Sequence, residues 1–327
     1  MPRPLEEAVV VITGASSGIG RAAALRFARR GSALALCARA EAPLRQVGAE
    51  CEAAGAEVMT VTLDVGDEAA VEDFAADAAE RFGRLDVWVN CAGVIAYGDF
   101  LEIPSDVFRK VVETNLMGQV HGARAALSRF AEQRQGVLIN MSSVWGRVST
   151  PQVTPYIVSK NAVRALSECL RGELVGKGDV HVTTLAPQAV DTPIFDHAAN
   201  YTGRRVRAIP PVLSPEEVAA GIEACAESPK NEVNYGRSGR ALEILYALVP
   251  ALYRRLAHRA FVRGTLGEGG VEPTSGNVLS PTRPHAIEGG WRRRRRGTLR
   301  RALLAAAAGA AAGLAGAKAA APKGGGG

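Results

Sequence analysis

Short apolar runs alternate with longer amphipathic stretches between residues 8 and 235. The short runs are mostly rich in Val, Ile and Leu and have polar or glycine-containing borders, a pattern typical of buried strands. They comprise residues 8–12, 33–37, 58–63, 85–90, 137–141 and 180–185, with 232–235 as a last short strand. The stretches between them predict helices at 21–30, 43–54, 68–82, 105–130 and 156–175. Alternation of this kind predicts an α/β fold, with a doubly wound parallel sheet flanked by helices.

The alternation ends after residue 185, where prolines and aromatic residues punctuate the chain. Because this stretch follows a strand end and cannot continue as a strand, we expect a mobile lid there. Ser214 and Pro215 have the properties of an N-cap and a first helical residue. A largely apolar helix follows at 241–259, interrupted by Pro250. The predicted organisation is a sheet domain over 1–240, a C-terminal helix over 241–263, and a weakly ordered, low-complexity tail over 264–327.

The chain has 327 residues, 47% of them hydrophobic and 22% charged, which suits a soluble globular protein with a large core. Its net charge of +6 is concentrated at one end. From Tyr253 onward there are 14 Lys and Arg against 3 Asp and Glu, whereas the preceding residues carry 25 against 30. The basic character therefore belongs to the tail and says little about the catalytic body.

The tail combines the run Arg292–Arg296 with the apolar stretch Ala302–Ala317. A transmembrane span needs about 20 apolar residues, and this stretch is shorter and dominated by Ala and Gly. Three alternatives stay open: a solvated tail, peripheral contact with anionic lipid, and nucleic-acid contact. We expect no nucleic-acid partner, because no binding module accompanies the arginines.

Five cysteines are scattered along the chain without a CxxC pair or a histidine spacing that suits zinc. Such a set is typical of reduced thiols, so we expect a cytoplasmic location and no bound metal. No secretory signal pattern precedes the first strand. Membrane association through the C-terminal region is the alternative.

A glycine-rich loop joins the first strand to the first helix. Its glycines allow a tight turn and a close approach of the backbone to a phosphate, and the helix N-terminus supplies N–H donors. The order of strand, loop and helix is the context that such a loop requires. The sequence therefore predicts a nucleotide site, which comprises Gly14, Ser16, Ser17, Gly18, Ile19 and Gly20.

The spacing Gly14-x-x-x-Gly18-x-Gly20 resembles the fingerprint of the short-chain dehydrogenase/reductase family. Further matches follow in order: Asp64, Asn90-Cys91-Ala92-Gly93, Asn115, Ser143 and Tyr156-x-x-x-Lys160. The resemblance covers roughly residues 7–240. It implies a Rossmann-like fold and an oxidoreductase that moves a hydride between a nicotinamide and a small-molecule carbonyl or alcohol. It also implies a homo-oligomer, since dimers or tetramers are usual in that family.

The resemblance assigns further residues to the cofactor. Asp64 and Val65 would hold the adenine, Asn90 would fix the sheet beside the cofactor, and Thr192 would bind the carboxamide. Cys91 stands where the family often has a second Asn. The remaining implied cofactor contacts are Ala92, Gly93, Tyr156, Lys160 and Pro187.

Arg39 stands near the end of the second strand, where no carboxylate precedes Glu41. An acidic residue there would bind the ribose 2′-hydroxyl of NAD, whereas an arginine can pair with the 2′-phosphate of NADP. Because a guanidinium matches the geometry of phosphate, Arg39 favours NADP or NADPH as the cofactor. NAD bound beside a solvated arginine is the alternative.

Tyr156 and Lys160 are four residues apart on a predicted helix, so their side chains share one face. A free tyrosine has a pKa of about 10, and a cation beside it favours the phenolate and lowers that pKa. The sequence therefore predicts Tyr156 as the acid and base, with Lys160 as its cation. By the resemblance, the same ammonium also holds the nicotinamide ribose.

Ser143 lies just beyond the fifth strand, and ligands bind at the carboxyl ends of parallel strands. We expect its hydroxyl to bind the substrate oxygen as charge develops there. Asn115 lies inside a predicted long helix, and the resemblance implies that it anchors a water that relays protons to Lys160. These four residues, Asn115, Ser143, Tyr156 and Lys160, are the predicted catalytic set.

The predicted substrate contacts are mostly apolar, which favours a lipophilic carbonyl compound. They are Val94, Ile95, Ser143, Val144, Trp145 and Phe195. Gln188 replaces a glycine that is common in the family, and it either narrows the nicotinamide pocket or alters a turn. The alternative to an active reductase is an NADPH-binding scaffold or sensor whose tail contacts a membrane or a partner.

Overall fold

The computed structural model describes residues 2–283 and 285–292. Eleven strands, numbered along the chain, belong to the compact unit formed by residues 1–289. They are β1 Val9–Thr13, β2 Ala33–Ala38, β3 Val58–Thr62, β4 Val87–Asn90, β5 Ala96–Tyr97, β6 Gln135–Met141, β7 Asp179–Pro187, β8 Ala199–Asn200, β9 Arg204–Val206, β10 Glu232–Tyr235 and β11 Leu266–Gly269. Seven of them form one parallel sheet in the order β10-β7-β6-β4-β1-β2-β3.

Nine helices are described along the same part of the chain. They are α1 Gly18–Arg29, α2 Glu41–Ala53, α3 Glu68–Phe82, α4 Ser105–Val112, α5 Gly118–Gln133, α6 Thr154–Glu173, α7 Pro215–Glu227, α8 Arg237–Leu248 and α9 Pro250–Thr265. The predicted helix at 241–259 is therefore divided at Pro250, whose ring cannot continue a helix begun before it.

The sheet has an apolar core on each of its two faces. Val10 and Ile12 of β1 lie in the core that contains α1, α2 and α7. Val9 and Val11 lie in the opposite core, which contains α3 and α5. A strand buried on both faces is continuously apolar, which explains why its sequence shows no polar alternation. The predicted doubly wound parallel sheet flanked by helices is confirmed.

The predicted long helix at 105–130 is interrupted. Between α4 and α5 the chain forms a π-helical turn at Glu113–Met117. Such turns insert one extra residue and frequently occur at functional sites. This turn contains Asn115, and the hydrogen bonds of that side chain, described below, provide the physical reason for the interruption.

Short paired strands occur in the two segments for which the sequence predicts a mobile lid and a weakly ordered tail. β5 pairs with β8, and β9 pairs antiparallel with β11. Residues 271–283 and 285–289 then return across the domain with backbone hydrogen bonds to its loops. These contacts join residues far apart in sequence, so local composition does not reveal them. Except for Arg292, the basic run and Ala302–Ala317 lie outside the described residues.

A buried chain of amides links β4 to β6 below the functional edge of the sheet. Asn90 Nδ2 donates to Asn140 Oδ1 (2.9 Å) and Asn140 Nδ2 donates to Ser167 Oγ (3.0 Å). Trp88 Nε1 donates to Asn90 Oδ1 (2.9 Å). Asn90 therefore links two neighbouring strands of the sheet from inside.

We expect Asn140→Ala to lower the free energy of unfolding by about 2–3 kcal/mol. The substitution leaves a donor of Asn90 and the hydroxyl of Ser167 with fewer partners in a buried site, which costs about 1–3 kcal/mol for a group left unsatisfied. Urea denaturation measures the change. Asn231→Ala, at an exposed position, serves as the control and should stay within about 0.5 kcal/mol of the parent protein. Equal effects of the two substitutions would contradict this role for Asn140.

Candidate active site

The glycine loop between β1 and α1 packs tightly against the chain after β4. Gly14 has φ 69°, in the left-handed region, and a Cβ on it would lie 2.7 Å from Ala92 Cα. Gly18 has φ 54° and lies against Thr192. Since a side chain at Gly14 would collide with backbone, only glycine lets the loop approach Ala92 this closely.

A cleft of about 170 Å³ lies between the glycine loop and the ends of β2, β3 and β4. Most predicted cofactor residues line it. They are Gly14, Ser16, Ser17, Gly18, Ile19, Gly20, Arg39, Asp64, Val65, Ala92, Gly93 and Thr192. Val94, a predicted substrate contact, also lines this cleft, and the Asn115 side chain binds its backbone.

Charged groups stand at the outer end of this cleft. Burial lowers the pKa of the Arg39 guanidinium, against the opposing influence of Asp64. Burial tends to raise the pKa of Asp64, but hydrogen bonds from the Gly66 amide and from Lys110 outweigh it and lower that pKa. Lys110 Nζ lies 3.0 Å from Asp64 Oδ2. Asp64 is thus ionised and held in place by Lys110 and the Gly66 amide. The poorly solvated cation that it influences is the Arg39 guanidinium.

The π-helical turn carries Asn115 into the space between β4 and α6. Asn115 Oδ1 accepts from Val94 N (2.8 Å), and Nδ2 donates to Val94 O (2.9 Å) and Ser159 Oγ (3.1 Å). The side chain is fully buried. The Asn115 amide therefore positions the loop after β4. A π-helical turn replaces the regular α-helix here because it allows Asn115 to form these hydrogen bonds.

Lys160 lies in the interior of the site with 4% of its surface exposed. Its Nζ donates to Met141 O at the end of β6 (2.7 Å) and lies 5.7 Å from the centre of the Tyr156 ring. Burial lowers the pKa of Lys160 to about 8, and Cys91 opposes this change. The ammonium thus loses its proton far more readily than a solvated lysine does.

Tyr156 and Ser143 meet beside Lys160. Burial raises the pKa of Tyr156 to about 12, while a hydrogen bond with Ser143 lowers it. The sequence predicts a depressed pKa, and the structure differs because burial is the larger influence in the folded chain. Ser143 Oγ also accepts from Trp145 N (3.2 Å).

A second cavity, of about 250 Å³, adjoins the nucleotide cleft. The two share Ile19, Gly93 and Thr192 among their lining residues. The predicted residues on the second cavity are Ile95, Ser143, Val144, Trp145, Tyr156, Lys160, Pro187 and Phe195. The Trp145 ring stands edge-on to Tyr156, with ring centres 5.9 Å apart. The wall is largely apolar, and its polar groups include the hydroxyls of Ser143 and Tyr156, the Lys160 ammonium and the Arg207 guanidinium.

Gln188 follows β7 and forms hydrogen bonds both to the end of β10 and to Pro211 in the predicted lid. Its amide nitrogen donates to Pro211 O (3.0 Å), and its backbone N–H donates to Tyr235 O (2.9 Å). The side chain also lies over Gly236, where a Cβ would clash with it. Gln188 therefore lines the second cavity and holds the segment around Pro211 through its side chain.

Sequence reasoning missed one wall of the nucleotide cleft. Its lining includes Asn277, Pro281, Thr282 and His285 from the C-terminal segment, with His197 from the lid. No local motif marks these residues, because they reach the cleft only through long-range folding.

The cleft suits a nicotinamide dinucleotide. The hydroxyls of Thr114 and Thr282 line it, are buried, and have no hydrogen-bond partner among the described residues. The glycine loop offers N–H donors for a diphosphate, and Arg39 offers a cation at the adenosine end. Elsewhere in residues 2–283 and 285–292, no group of His, Cys, Asp and Glu is arranged to hold a metal ion.

Fold and site together define a nucleotide-binding oxidoreductase of the α/β class. Residues 8–201 match the short chain dehydrogenase family. The chain belongs to this family.

Two curated relatives are similar over most of their length. An uncharacterized oxidoreductase, YxnA, from Bacillus subtilis is 33% identical over 282 residues, which cover 85% of this chain and 79% of the relative. Dehydrogenase/reductase SDR family member 7B from Bos taurus is 34% identical over 263 residues, which cover 77% of this chain and 81% of the relative.

Solved structures give the same family with two cofactors. A short chain dehydrogenase/reductase from Burkholderia phymatum in complex with NAD has a TM-score of 0.70 and 29% identity, covering 83% of this chain and 99% of the other. An alcohol dehydrogenase from Thermococcus sibiricus complexed with 5-hydroxy-NADP has a TM-score of 0.61 and 31% identity, covering 70% and 98%. Family membership therefore leaves the choice between NAD and NADP to residues such as Arg39.

We expect Lys160 to titrate near pH 8, well below the other lysines. Its folded pKa lies under the ordinary 10.5, so between these values the unfolded chain binds more protons. The stability contribution of this lysine therefore rises with pH across that window. NMR of lysine side chains labelled with ¹³C measures the midpoint, and Lys160→Met identifies the resonance. A midpoint above pH 10 would show that burial does not govern this group.

Proposed function

We propose that the protein is an NADP-dependent oxidoreductase that transfers hydride between nicotinamide C4 and a lipophilic carbonyl or alcohol. The observation that carries this proposal is that Tyr156, Ser143 and Lys160 line the largely apolar cavity that adjoins the nucleotide cleft. A substrate oxygen bound to the two hydroxyls would lie in the cavity next to the nucleotide cleft. Such an arrangement has no purpose in a protein that only binds nucleotide, which disfavours a scaffold or sensor.

The residues act on the substrate oxygen. A nicotinamide supplies or accepts the hydride when it is bound. Ser143 donates its hydroxyl proton in a hydrogen bond to the carbonyl oxygen and polarises it. Tyr156, protonated at neutral pH because burial raises its pKa to about 12, gives its proton to the same oxygen as negative charge develops. The Lys160 ammonium then stabilises the phenolate left behind.

Asn115 supports this chemistry indirectly. Its side chain is occupied by Val94 and Ser159, so it fixes the loop after β4 and the first turns of α6. We propose that it keeps Tyr156 and Lys160 aligned with the cleft. Tyr156 regains its proton by way of Lys160. The lowered pKa of Lys160 suits a group that gives up and regains protons near neutral pH.

Arg39 supports the NADP assignment. No carboxylate stands at the end of β2, and the guanidinium lines the nucleotide cleft in a partly buried position. A phosphate dianion would compensate the cost of burying this cation far better than a neutral hydroxyl would.

Location and assembly extend the proposal. The cysteines are all free thiols, consistent with a cytoplasmic enzyme. In the described part of the chain, no helix is long and apolar enough to cross a membrane. We propose that the protein forms a homo-oligomer and that its substrate is a small molecule. The alternative of membrane contact through the tail concerns residues mostly outside those described.

We expect Tyr156→Phe to lower kcat by at least about a hundredfold, because general acid catalysis contributes roughly 10²–10⁴. Turnover of NADPH with a panel of aldehydes, ketones, quinones and steroids is measured by absorbance, and NADPH affinity by fluorescence. Affinity should stay within about threefold of the parent protein, since only one hydroxyl is removed. Tyr246→Phe, on α8, is the matched control and should turn over normally. Undiminished turnover in Tyr156→Phe would overturn the proposed mechanism.

We expect Arg39→Ala to weaken NADPH binding about tenfold or more and to change NADH binding less than about threefold. A charged hydrogen bond contributes about 1.5–3 kcal/mol, and only NADPH presents the 2′-phosphate. Titration calorimetry measures both dissociation constants. Arg45→Ala removes an exposed arginine of α2 and should alter neither. Parallel losses for the two nucleotides would refute the assignment of Arg39 to the 2′-phosphate.

A further inference from the structure

A segment near the C-terminus lies along the outer side of the nucleotide cleft. We name residues 274–283 and 285–289 the C-terminal strap. Thr274 and Asn200 exchange two backbone hydrogen bonds (3.0 and 2.8 Å), Asn277 N donates to His197 O (2.8 Å), and Gly289 N donates to Asp191 O (3.2 Å). The strap is thus fastened to the lid at both of its ends.

Val278 seats the middle of the strap. Its side chain is fully buried in an apolar cluster with Ile103, Val107 and Val111. The adjacent Leu279 is 46% exposed. The Val278 side chain therefore anchors the strap in the apolar cluster, whereas the Leu279 side chain is partly exposed to solvent.

At the adenosine end of the cleft, two backbone carbonyls of the strap accept hydrogen bonds from the Arg39 guanidinium. Its Nη2 donates to Asn277 O (2.5 Å) and its Nη1 donates to Val278 O (3.0 Å). A guanidinium binds a phosphate through the same paired N–H groups. The partial negative charge of the two carbonyl oxygens would also repel a phosphate placed beside them.

At the other end, a strap carbonyl occupies a donor of the glycine loop. Gly18 N donates to Ala286 O (3.0 Å), and Arg21 Nη1 donates to His285 O (2.9 Å). The first amides of α1 are the donors expected to meet a diphosphate. Because an amide has one hydrogen, Ala286 O and a phosphate oxygen compete for Gly18.

We propose that the carbonyl oxygens of the C-terminal strap compete with the phosphates of the cofactor for Gly18 and Arg39, so that the strap is a determinant of cofactor specificity. This inference rests on the proposed function. Any nicotinamide dinucleotide must release the strap at Ala286. Only one with a 2′-phosphate must also release it at Asn277 and Val278, and in return gains Arg39. The strap therefore weakens NADPH binding more than it weakens NADH binding.

Hydrogen exchange on the full-length protein tests the proposal directly. Mass spectrometry follows peptides covering 272–280 and 285–290 with saturating NADPH, with saturating NADH, and without nucleotide. We expect NADPH to speed exchange of the 272–280 peptide by at least about fivefold, while NADH changes it less than about twofold, since exchange reports local opening. Both nucleotides should speed exchange of the 285–290 peptide. Equal or greater protection of 272–280 with NADPH would overturn the proposal.

A pair of neighbouring substitutions provides the second test. Val278→Asp places a charge in the apolar cluster and should release the strap without changing Arg39. We expect it to tighten NADPH binding about threefold or more, because the competent state becomes more populated, and to affect NADH less. Leu279→Asp adds the same charge at an exposed position and should bind both nucleotides like the parent protein. Weaker NADPH binding in Val278→Asp than in Leu279→Asp would refute competition.

The outcomes separate the two proposals. If the parent protein binds neither nucleotide, and exchange in the glycine loop is unchanged by both, the proposed function itself fails. If both nucleotides bind and the loop becomes protected while the strap stays closed, the proposed function stands and the competition is refuted.

Discussion

The buried ammonium of Lys160 is the group on which the geometry of the second cavity depends. Lys160 is taken out of water, and an isolated cation there would be costly without a nearby acceptor. Met141 O, at the carboxyl end of β6, provides that acceptor at 2.7 Å. Ser142 Oγ donates to Lys160 O (3.0 Å), which fastens α6 to the same strand end. The position of Tyr156 on α6 then follows from the seat of Lys160, one helical turn away.

The fold was predictable because its information is local. Strands buried on both faces are short apolar runs, and a glycine loop between a strand and a helix marks a nucleotide site. Ser143, Tyr156 and Lys160 converge because the carboxyl ends of parallel strands meet at one edge of the sheet. Apart from the interior residues Asn90 and Asn115, the predicted site residues line one of the two adjoining cavities.

What the sequence did not predict depends on contacts between distant residues. The π-helical turn at Glu113–Met117 exists because Asn115 binds Val94 and Ser159, which lie on other elements. The pKa of Tyr156 depends on burial, which pairwise spacing with Lys160 cannot show. The strap has the composition of a linker, yet Val278 finds an apolar cluster and Arg39 finds its carbonyls.

The strap also answers a problem posed by Arg39. A guanidinium whose pKa is lowered by burial requires acceptors in every state of the protein. Carbonyl oxygens satisfy it, but bonds from a cation to a phosphate are shorter and stronger, because both partners are charged. A neutral acceptor can therefore hold the cation and still yield to a phosphate. The same reasoning applies at Gly18, whose amide prefers an anionic oxygen to the Ala286 carbonyl. In the proposed competition, a phosphate would therefore replace the strap carbonyls at both Arg39 and Gly18.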